Sequence, residues 1–303
     1  MTLWIDYESE GFPAHKKISS GTLCTSWEDL IWAAITVGRP SKFDVFKHDG
    51  ASWFECVFRW ATIHMAVEED WSGRLKRTVA FKALDPTEKG MISYFLGMTL
   101  CKLFSARLLN IEWLLHLDVF GQDLNTHVLG RSRPDLVGKD CAGKWHSFEC
   151  KGRSGSVSLW DKGRAKNQAL RVIEVDGVRC GLHVGSFAFF QSDILHFYWR
   201  DPEPAEQRPI PRLSLPEGAW RHYYESAFGL ATEARREMPS VLRESVDFSV
   251  EIHSKIGELL GRGYWDDAHE RAVEMRGELL DTGYQADGLR VRLEASWNPG
   301  KME

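Results

Sequence analysis

The chain has 303 residues, of which 43% are hydrophobic and 12% aromatic, including 13 Trp. This composition supports a substantial hydrophobic core and excludes a low-complexity or disordered protein. The formal net charge of −5 argues against a protein that coats nucleic acid without selectivity.

The first residues and the cysteines bear on the cellular compartment. The N-terminal stretch MTLWIDYESEGFPAHKK lacks the basic start, apolar run and cleavage site of a signal peptide. No continuous apolar run approaches the roughly 18 residues of a membrane span. The six cysteines are scattered without a CxxC pair, which favours reduced thiols. We therefore expect a cytoplasmic protein with no membrane partner.

Residues 1–84 contain two stretches with apolar residues at helical spacing, WEDLIWAAITVG and SWFECVFRWATIHMAVEED. We expect this N-terminal region to be mainly helical and to pack on the rest of the chain. A further helix is predicted from Asp85, which is suited to the N-cap, with Pro86 at the first helical position and Glu88 at the capping-box position.

Residues 85–200 alternate between helical and extended patterns. After the helix DPTEKGMISYFLGMTLCKLFSARLL, the segments EWLLHLDVF, RPDLVGKD and WHSFECKG predict three strands, with a turn at CAGK between the last two. A second helix is predicted around DKGRAKNQALRV, followed by strands in GLHVGSFAFF and ILHFYWR. The predicted fold class is α/β, with the order helix, three strands, helix, two strands.

The remainder of the chain begins with a proline-rich segment. Residues 201–218 hold five of the eleven prolines and predict a linker. Residues 219–303 have mainly helical patterning, including VLRESVDFSVEIHSKIGELLGRG, with a closing strand in LRVRLEASW. Residues 201–303 carry an excess of acidic over basic residues, 20 against 13, which suggests the helical C-terminal region as a surface for a protein partner or a homo-oligomer.

Three charged residues fall on the predicted hairpin of residues 133–152. In an extended strand alternate side chains share a face, so Glu149 and Lys151 point to the same side. Asp135, on the preceding strand, can pair close to them. Two carboxylates with a neighbouring ammonium suit Mg²⁺ or Mn²⁺ and the hydrolysis of phosphodiesters, in which a lysine can serve the attacking water.

At these positions the chain resembles the PD-(D/E)XK nuclease superfamily, which has the restriction-endonuclease-like fold. Pro134-Asp135 and Glu149-Cys150-Lys151 match its two half-motifs, and the resemblance covers roughly residues 85–200. It implies that Asp135, Glu149 and the main-chain carbonyl of Cys150 bind the divalent metal, and that Lys151 serves the nucleophilic water. It also implies a nuclease, acting on DNA, in prokaryotic or viral restriction, repair or defence.

Further site residues follow from the same comparison and from the local charge. Residues 151–171 hold six basic residues and one acid, as a surface for a phosphate backbone requires. We expect nucleic-acid contacts from Arg153, Lys162, Lys166 and Gln168, with Trp160 as a candidate for base stacking. Additional carboxylates considered for the metal site are Glu88, which is favoured as a helix cap, and Glu112 and Asp118, which are favoured as solvated strand residues.

Alternative interpretations remain open on the sequence alone. An Asp, a Glu and a Lys on strand faces are also ordinary solubilising residues of antiparallel hairpins. The same fold could equally serve as a catalytically inactive nucleic-acid-binding or assembly subunit. Retention of Asp135, Glu149 and Lys151 together favours the active enzyme.

Overall fold

The computed structural model describes residues 2–37, 51–117, 133–172, 174–201, 212–232 and 248–293. Within these ranges it is a mixed α/β structure with a central sheet of nine strands. The predicted α/β class is therefore confirmed at this level, and the more specific restriction-endonuclease-like core remains a proposal.

The elements are numbered in chain order. The strands are β1 Leu3–Glu10, β2 Gly21–Thr25, β3 Val67–Glu69, β4 Leu75–Arg77, β5 Trp113–His116, β6 Leu136–Lys139, β7 Trp145–Gly152, β8 Glu174–Val175, β9 Val178–Arg179, β10 His183–Gln191, β11 Ile194–Arg200, β12 Arg212–Leu213, β13 Phe248–Ile252 and β14 Leu289–Leu293. The α-helices are α1 Trp27–Thr36, α2 Ala51–Ala66, α3 Val79–Ala83, α4 Pro86–Phe104, α5 Leu159–Ala169, α6 Arg221–Thr232, α7 Ser254–Gly261, α8 Trp265–Glu274 and α9 Arg276–Asp281.

The central sheet has the strand order β2-β1-β11-β10-β7-β6-β5, and the β3–β4 hairpin joins it through β11. Strands β5, β6 and β7 form an antiparallel meander. Strand β10 runs parallel to β7, because α5 lies in the connection between them and returns the chain to the same end of the sheet. In the described part of residues 85–200 the predicted helix, three strands, helix and two long strands are present in that order, but two short strands that were not predicted, β8 and β9, lie between α5 and β10.

Helices α4 and α5 cover opposite faces of this sheet. A Cβ atom added to Gly152 of β7 would lie 1.6 Å from the carbonyl oxygen of Ser93 in α4. A Cβ atom added to Gly185 of β10 would lie 2.8 Å from the amide nitrogen of Lys166 in α5. Since only glycine permits such close backbone approach, these two positions set the distance of each helix from the sheet.

The two faces differ in the size of their cores. On the α4 side, Leu96, Leu100 and Phe104 belong to one large buried cluster together with Phe148 of β7. On the α5 side, Ala165, Phe187, Phe189 and Tyr198 form a small separate cluster. The α5 face therefore has room for polar groups next to a modest apolar core.

The N-terminal region contains the predicted helices α1 and α2, but it also supplies four strands that the sequence pattern did not predict. Strand β1 pairs in parallel with β11, from Asp6 opposite His196 to Glu10 opposite Arg200. The paired residues lie 190 positions apart in the chain, so local periodicity carries no signal for the pairing. The described part of residues 1–84 thus belongs to the central sheet and also forms a helical layer beside it.

The C-terminal region is only partly helical. The predicted closing strand is present as β14, but FSVEI, which had been assigned to a helical stretch, forms β13 and pairs with β14 through Val250 and Val291. That assignment was wrong because the alternating burial of a short strand was masked by helix-like flanking residues. Of the expected linker, residues 202–211 lie outside the described residues, and Arg212 and Leu213 pair with β8.

A buried polar network fastens the C-terminal region to the core. The Lys102 ammonium of α4 donates to the Tyr223 hydroxyl at 2.6 Å, and that hydroxyl donates to Asp287 Oδ2 at 2.5 Å. The indole N–H of Trp32 donates to the same carboxylate oxygen at 2.8 Å. Burial lowers the pKa of Lys102 to about 7, against the opposing effect of Asp287 and Glu112. The network ties α1, α4 and α6 to the segment before β14.

Within the described residues, one helical segment, Pro86–Leu109, is long and apolar enough to span a membrane by length and composition. The sequence had shown no continuous apolar run of that length, because polar residues interrupt the helix. Of its most apolar window, 78% is buried inside the fold. This burial is that of a core helix and is consistent with a soluble protein.

Candidate active site

The β6–β7 hairpin brings the two predicted carboxylates together. Leu136 pairs with Phe148 in the antiparallel ladder, so the next position outward on each strand sets Asp135 across from Glu149. Side chains directly opposite on neighbouring strands share a face. The Cys150 amide donates a hydrogen bond of 2.8 Å to Asp135 Oδ2, which fixes this carboxylate beside β7.

Pro134 shapes the same end of the hairpin. Continuing the register one step places Pro134 across from Cys150. The N–H and C=O groups of one strand residue point to the same side, and the Cys150 N–H points toward Asp135. The Cys150 carbonyl therefore faces β6 at a position where proline has no N–H to donate. The Cys150 carbonyl therefore receives no ladder hydrogen bond from position 134.

Glu149 is buried, with 1% of its surface exposed. It lies on the α5 face, since it is in register with Gly185, the glycine that α5 approaches. Burial and the nearby charge of Asp135 raise the pKa of Glu149 to about 8, although the Lys151 ammonium and the Asp135 amide oppose this rise. A cation held between the two carboxylates would relieve both unfavourable effects.

Lys151 is two residues along β7 on the same face and is partly exposed. Its ammonium nitrogen contacts Glu149 Oε1 as an ion pair. The predicted trio of Asp135, Glu149 and Lys151 is therefore brought together by the hairpin. The partly exposed Lys151 side chain therefore links the buried Glu149 carboxylate to the solvent-facing end of β7.

The donor set fits a hard divalent cation of modest coordination demand. The Glu149 carboxylate is contacted by the Lys151 ammonium at Oε1 and by the Asp135 amide, and neither contact has ideal hydrogen-bond geometry among the described residues. The residues that the structure describes contain no group of three or more His, Cys, Asp or Glu side chains arranged to hold a metal ion. Mg²⁺ needs only one or two carboxylates, with water and substrate phosphate oxygens completing its shell. Asp135 and Glu149 meet that requirement.

The additional carboxylates considered from the sequence lie elsewhere or are occupied. Glu88 is exposed and completes the capping box of α4 by accepting from the Asp85 amide at 3.2 Å. Glu112 was expected to be a solvated strand residue, but it is buried and bound to Arg276 at 2.7 Å. Asp118 lies outside the described residues.

The predicted nucleic-acid contacts divide into two groups. Arg153 follows β7 directly, and its guanidinium donates to Asp161 Oδ1 of α5 at 3.1 Å. Gln168 is half-buried near the end of α5. Of the helix cations, Arg164 is exposed and lies over the Trp160 ring at 5.3 Å from its centroid.

The other group, Lys162 and Lys166, points along the same α5 face of the sheet toward β11 and β1, away from β7. Lys162 lies 3.4 Å from Glu8 of β1, with its nitrogen 3.6 Å from the Tyr198 ring centroid. Burial lowers the pKa of Lys166, whose charged neighbours are Arg200, Glu10 and Asp201. Since β1 is three strands from β7, or about 14 Å at the usual strand spacing, the Lys162 ammonium lies away from Asp135 and Glu149. The charged neighbours of Lys166 likewise belong to β1 and β11 or follow β11 directly.

The sequence missed two features of the site. The role of Pro134 beside Cys150 depends on register, although the residue itself was part of the quoted motif. The contact of Gly152 with Ser93 of α4 also depends on tertiary packing. A glycine directly after a strand lysine is the signal that could have indicated it.

No family model, no curated protein and no solved structure matches this chain. Support for a function therefore comes from the chemistry of the hairpin.

Proposed function

We propose that this protein is a divalent-metal-dependent nuclease that hydrolyses phosphodiester bonds in DNA. The observation that carries the proposal is the placement of Asp135 across from the buried Glu149, with Lys151 in contact with Glu149 at the solvent-facing end of β7. Two carboxylates and an ammonium in this arrangement match what phosphodiester hydrolysis requires. The resemblance to PD-(D/E)XK nucleases adds to it and suggests restriction, repair or defence in the cytoplasm.

The residues divide the work as follows. Asp135, Glu149 and the Cys150 carbonyl would hold Mg²⁺ or Mn²⁺. When bound, the ion supplies a Lewis acid that polarises a phosphate oxygen and acidifies water. Lys151 donates to the attacking water or to the phosphate and balances the negative charge that develops there. The amide of Cys150 keeps the Asp135 carboxylate in place throughout.

The basic residues after β7 would bind the substrate backbone. Arg153 and Arg164 present exposed guanidinium groups on the α5 side, and guanidinium groups bind phosphate in a bidentate manner. Lys162 and Lys166 would extend this surface toward β1 and β11, at a distance from the cleaved bond. The acidic C-terminal region remains a proposed site for a protein partner or a second copy.

Incubation of the purified protein with circular and linear DNA in Mg²⁺, Mn²⁺ or EDTA tests the proposal. We expect cleavage with either metal and none with EDTA. Binding of DNA without cleavage under every metal condition would favour the alternative, a catalytically inactive nucleic-acid-binding subunit. Conversion of circular DNA to a linear or nicked form would identify internal cleavage.

A further inference from the structure

Two large apolar side chains stand in solvent at the beginning of α5. Leu159 is 86% exposed and Trp160 is 69% exposed, and both belong to the first turn of this helix. Adjacent exposed apolar residues of this size, rimmed by polar ones, mark contact surfaces more often than single exposed residues do. Their position directly after the proposed catalytic strand links them to the β7 end of the site.

This turn is held firmly, so the exposure belongs to a fixed surface. Ser158 and Asp161 form a capping box, with the Asp161 amide donating to Ser158 Oγ at 3.2 Å. The Arg153 guanidinium donates to Asp161 at 3.1 Å. Arg77 donates to the carbonyl oxygen of Ser154, in the preceding loop, at 2.8 Å. Leu159 and Trp160 are thus presented outward by an ordered helix start.

The charges around Trp160 favour an anionic partner with aromatic groups. Arg164 lies over the indole at 5.3 Å from the ring centroid. Arg153, with 42% of its side chain exposed, joins the same turn to β7 two residues beyond Lys151. An aromatic ring among cations is the combination that binds single-stranded nucleic acid, in which bases stack on the ring and phosphates meet the cations.

We propose that Trp160, with Leu159 beside it, stacks on an unpaired base of a nucleic-acid strand whose phosphates follow Arg164, Arg153 and Lys151. The inference rests on the proposed function in one respect, that this strand leads to the Lys151 end of β7. It goes beyond that function by naming the substrate class, which is a strand that is single-stranded beside the cleaved bond. Paired bases are already stacked within a duplex and cannot use the indole in this way.

Binding in EDTA separates this contact from cleavage. Fluorescence anisotropy would be measured with labelled single-stranded DNA, single-stranded RNA and duplex DNA of one length, on wild type, Trp160→Ala and Trp160→Phe. Trp71→Ala is the matched control, because Trp71 is 98% exposed on the β3–β4 turn. We expect Trp160→Ala to weaken single-strand binding about tenfold or more and duplex binding less than twofold. Trp160→Phe should retain part of the affinity, and the salt dependence should not change because no charge is removed.

Several results would overturn the inference. The first is an affinity for single strands that does not change in Trp160→Ala. The second is an equal loss of affinity for single strands and duplex in Trp160→Ala, or an equal loss of single-strand affinity in Trp71→Ala. The third is a wild type that binds no nucleic acid at all. A change in sedimentation of Trp160→Ala without a change in nucleic-acid binding would instead assign the surface to a second copy of the chain. Metal-dependent cleavage, assayed in parallel on the wild type, reports the proposed function separately: its absence with Trp160-dependent binding intact would refute the nuclease and leave this contact standing.

Discussion

The main-chain amide of Cys150 donates a hydrogen bond of 2.8 Å to the carboxylate of Asp135. This bond joins the end of β6 to β7 at the point where Glu149 is buried on the shared face. A carboxylate fixed by its own hairpin loses little conformational entropy on binding a cation. The site is therefore preorganised by backbone geometry.

Replacing Lys151 distinguishes a working ammonium from an ordinary strand lysine. If Lys151 positions water or stabilises phosphate charge, Lys151→Ala should lower the single-turnover cleavage rate about a hundredfold or more, with DNA affinity little changed. Lys151→Arg should restore the rate only in part, because a planar guanidinium does not replace a compact ammonium. Lys144→Ala, on the exposed turn of the same hairpin, is the control and should cleave normally. Wild-type cleavage rates in both Lys151 variants would show that Lys151 is an ordinary solvated strand residue with no role in catalysis.

The contact of α4 with β7 predicts a large difference between two neighbouring glycines. Gly152→Ala would force a Cβ atom to within 1.6 Å of the Ser93 carbonyl oxygen, which belongs to helix backbone. We expect a loss of about 3 kcal/mol or more in the free energy of unfolding. For Gly155→Ala, with no atom within 4 Å of the added Cβ, we expect a change within about 0.5 kcal/mol. Urea unfolding of both variants checks this, and equal stabilities would contradict the described packing.

Salt dependence of DNA binding tests which cations face the substrate. Each phosphate contact contributes about 0.9 to the slope of log affinity against log salt. Arg164→Ala should lower the slope by about that amount. Lys162→Ala combined with Lys166→Ala should lower it by less than about one unit in total, because Lys162 is paired with Glu8 and stacked on Tyr198. A fall of nearly two units in the double variant would mean that both lysines contact phosphates fully, contrary to the pairing of Lys162 with Glu8.

Acid should destabilise the protein partly through His269. Burial lowers the pKa of His269 to about 3 from an ordinary 6.5, so below 6.5 the unfolded chain takes up a proton that the folded chain does not. The contribution of neutral His269 to the free energy of unfolding is therefore fully present above pH 6.5, and it is lost progressively as the pH falls toward 3. His269→Phe keeps an aromatic ring against Trp220 but cannot take up a proton. Between about pH 8 and about pH 5, its free energy of unfolding, measured by urea unfolding, should therefore fall by about 2 kcal/mol less than that of the wild type. Identical pH profiles in the two proteins would contradict this.

Much of the local structure could be predicted from the sequence. The capping box of Asp85 and Glu88 predicted the start of α4, and the alternation of Phe148 and Glu149 predicted β7 as a strand with one polar side. These signals are local, since caps and strand alternation depend on neighbours within a few residues. The trio of Asp135, Glu149 and Lys151 followed from the same reasoning.

What the sequence could not supply depends on residues far apart in the chain. The pairing of β1 with β11 has no local signal. The sequence predicted Lys162 to be available for a phosphate contact, because its partner Glu8 is 154 positions away in the chain. Glu112 was likewise predicted to be solvated, but in the fold it binds Arg276, which is 164 positions away in the chain. In each case a tertiary contact decides the role of a charge.

The most direct test of the metal site is the rate of Mg²⁺-dependent DNA cleavage by wild type, Asp135→Asn and Glu149→Gln. These variants preserve side-chain volume and remove a ligand charge, and Glu258→Gln, on an exposed position of α7, controls for the loss of a carboxylate elsewhere. We predict cleavage by the wild type and by Glu258→Gln, and a rate at least a thousandfold lower, roughly 4 kcal/mol in transition-state stabilisation, in each site variant. Cleavage at the wild-type rate by either Asp135→Asn or Glu149→Gln would contradict the assignment of the site.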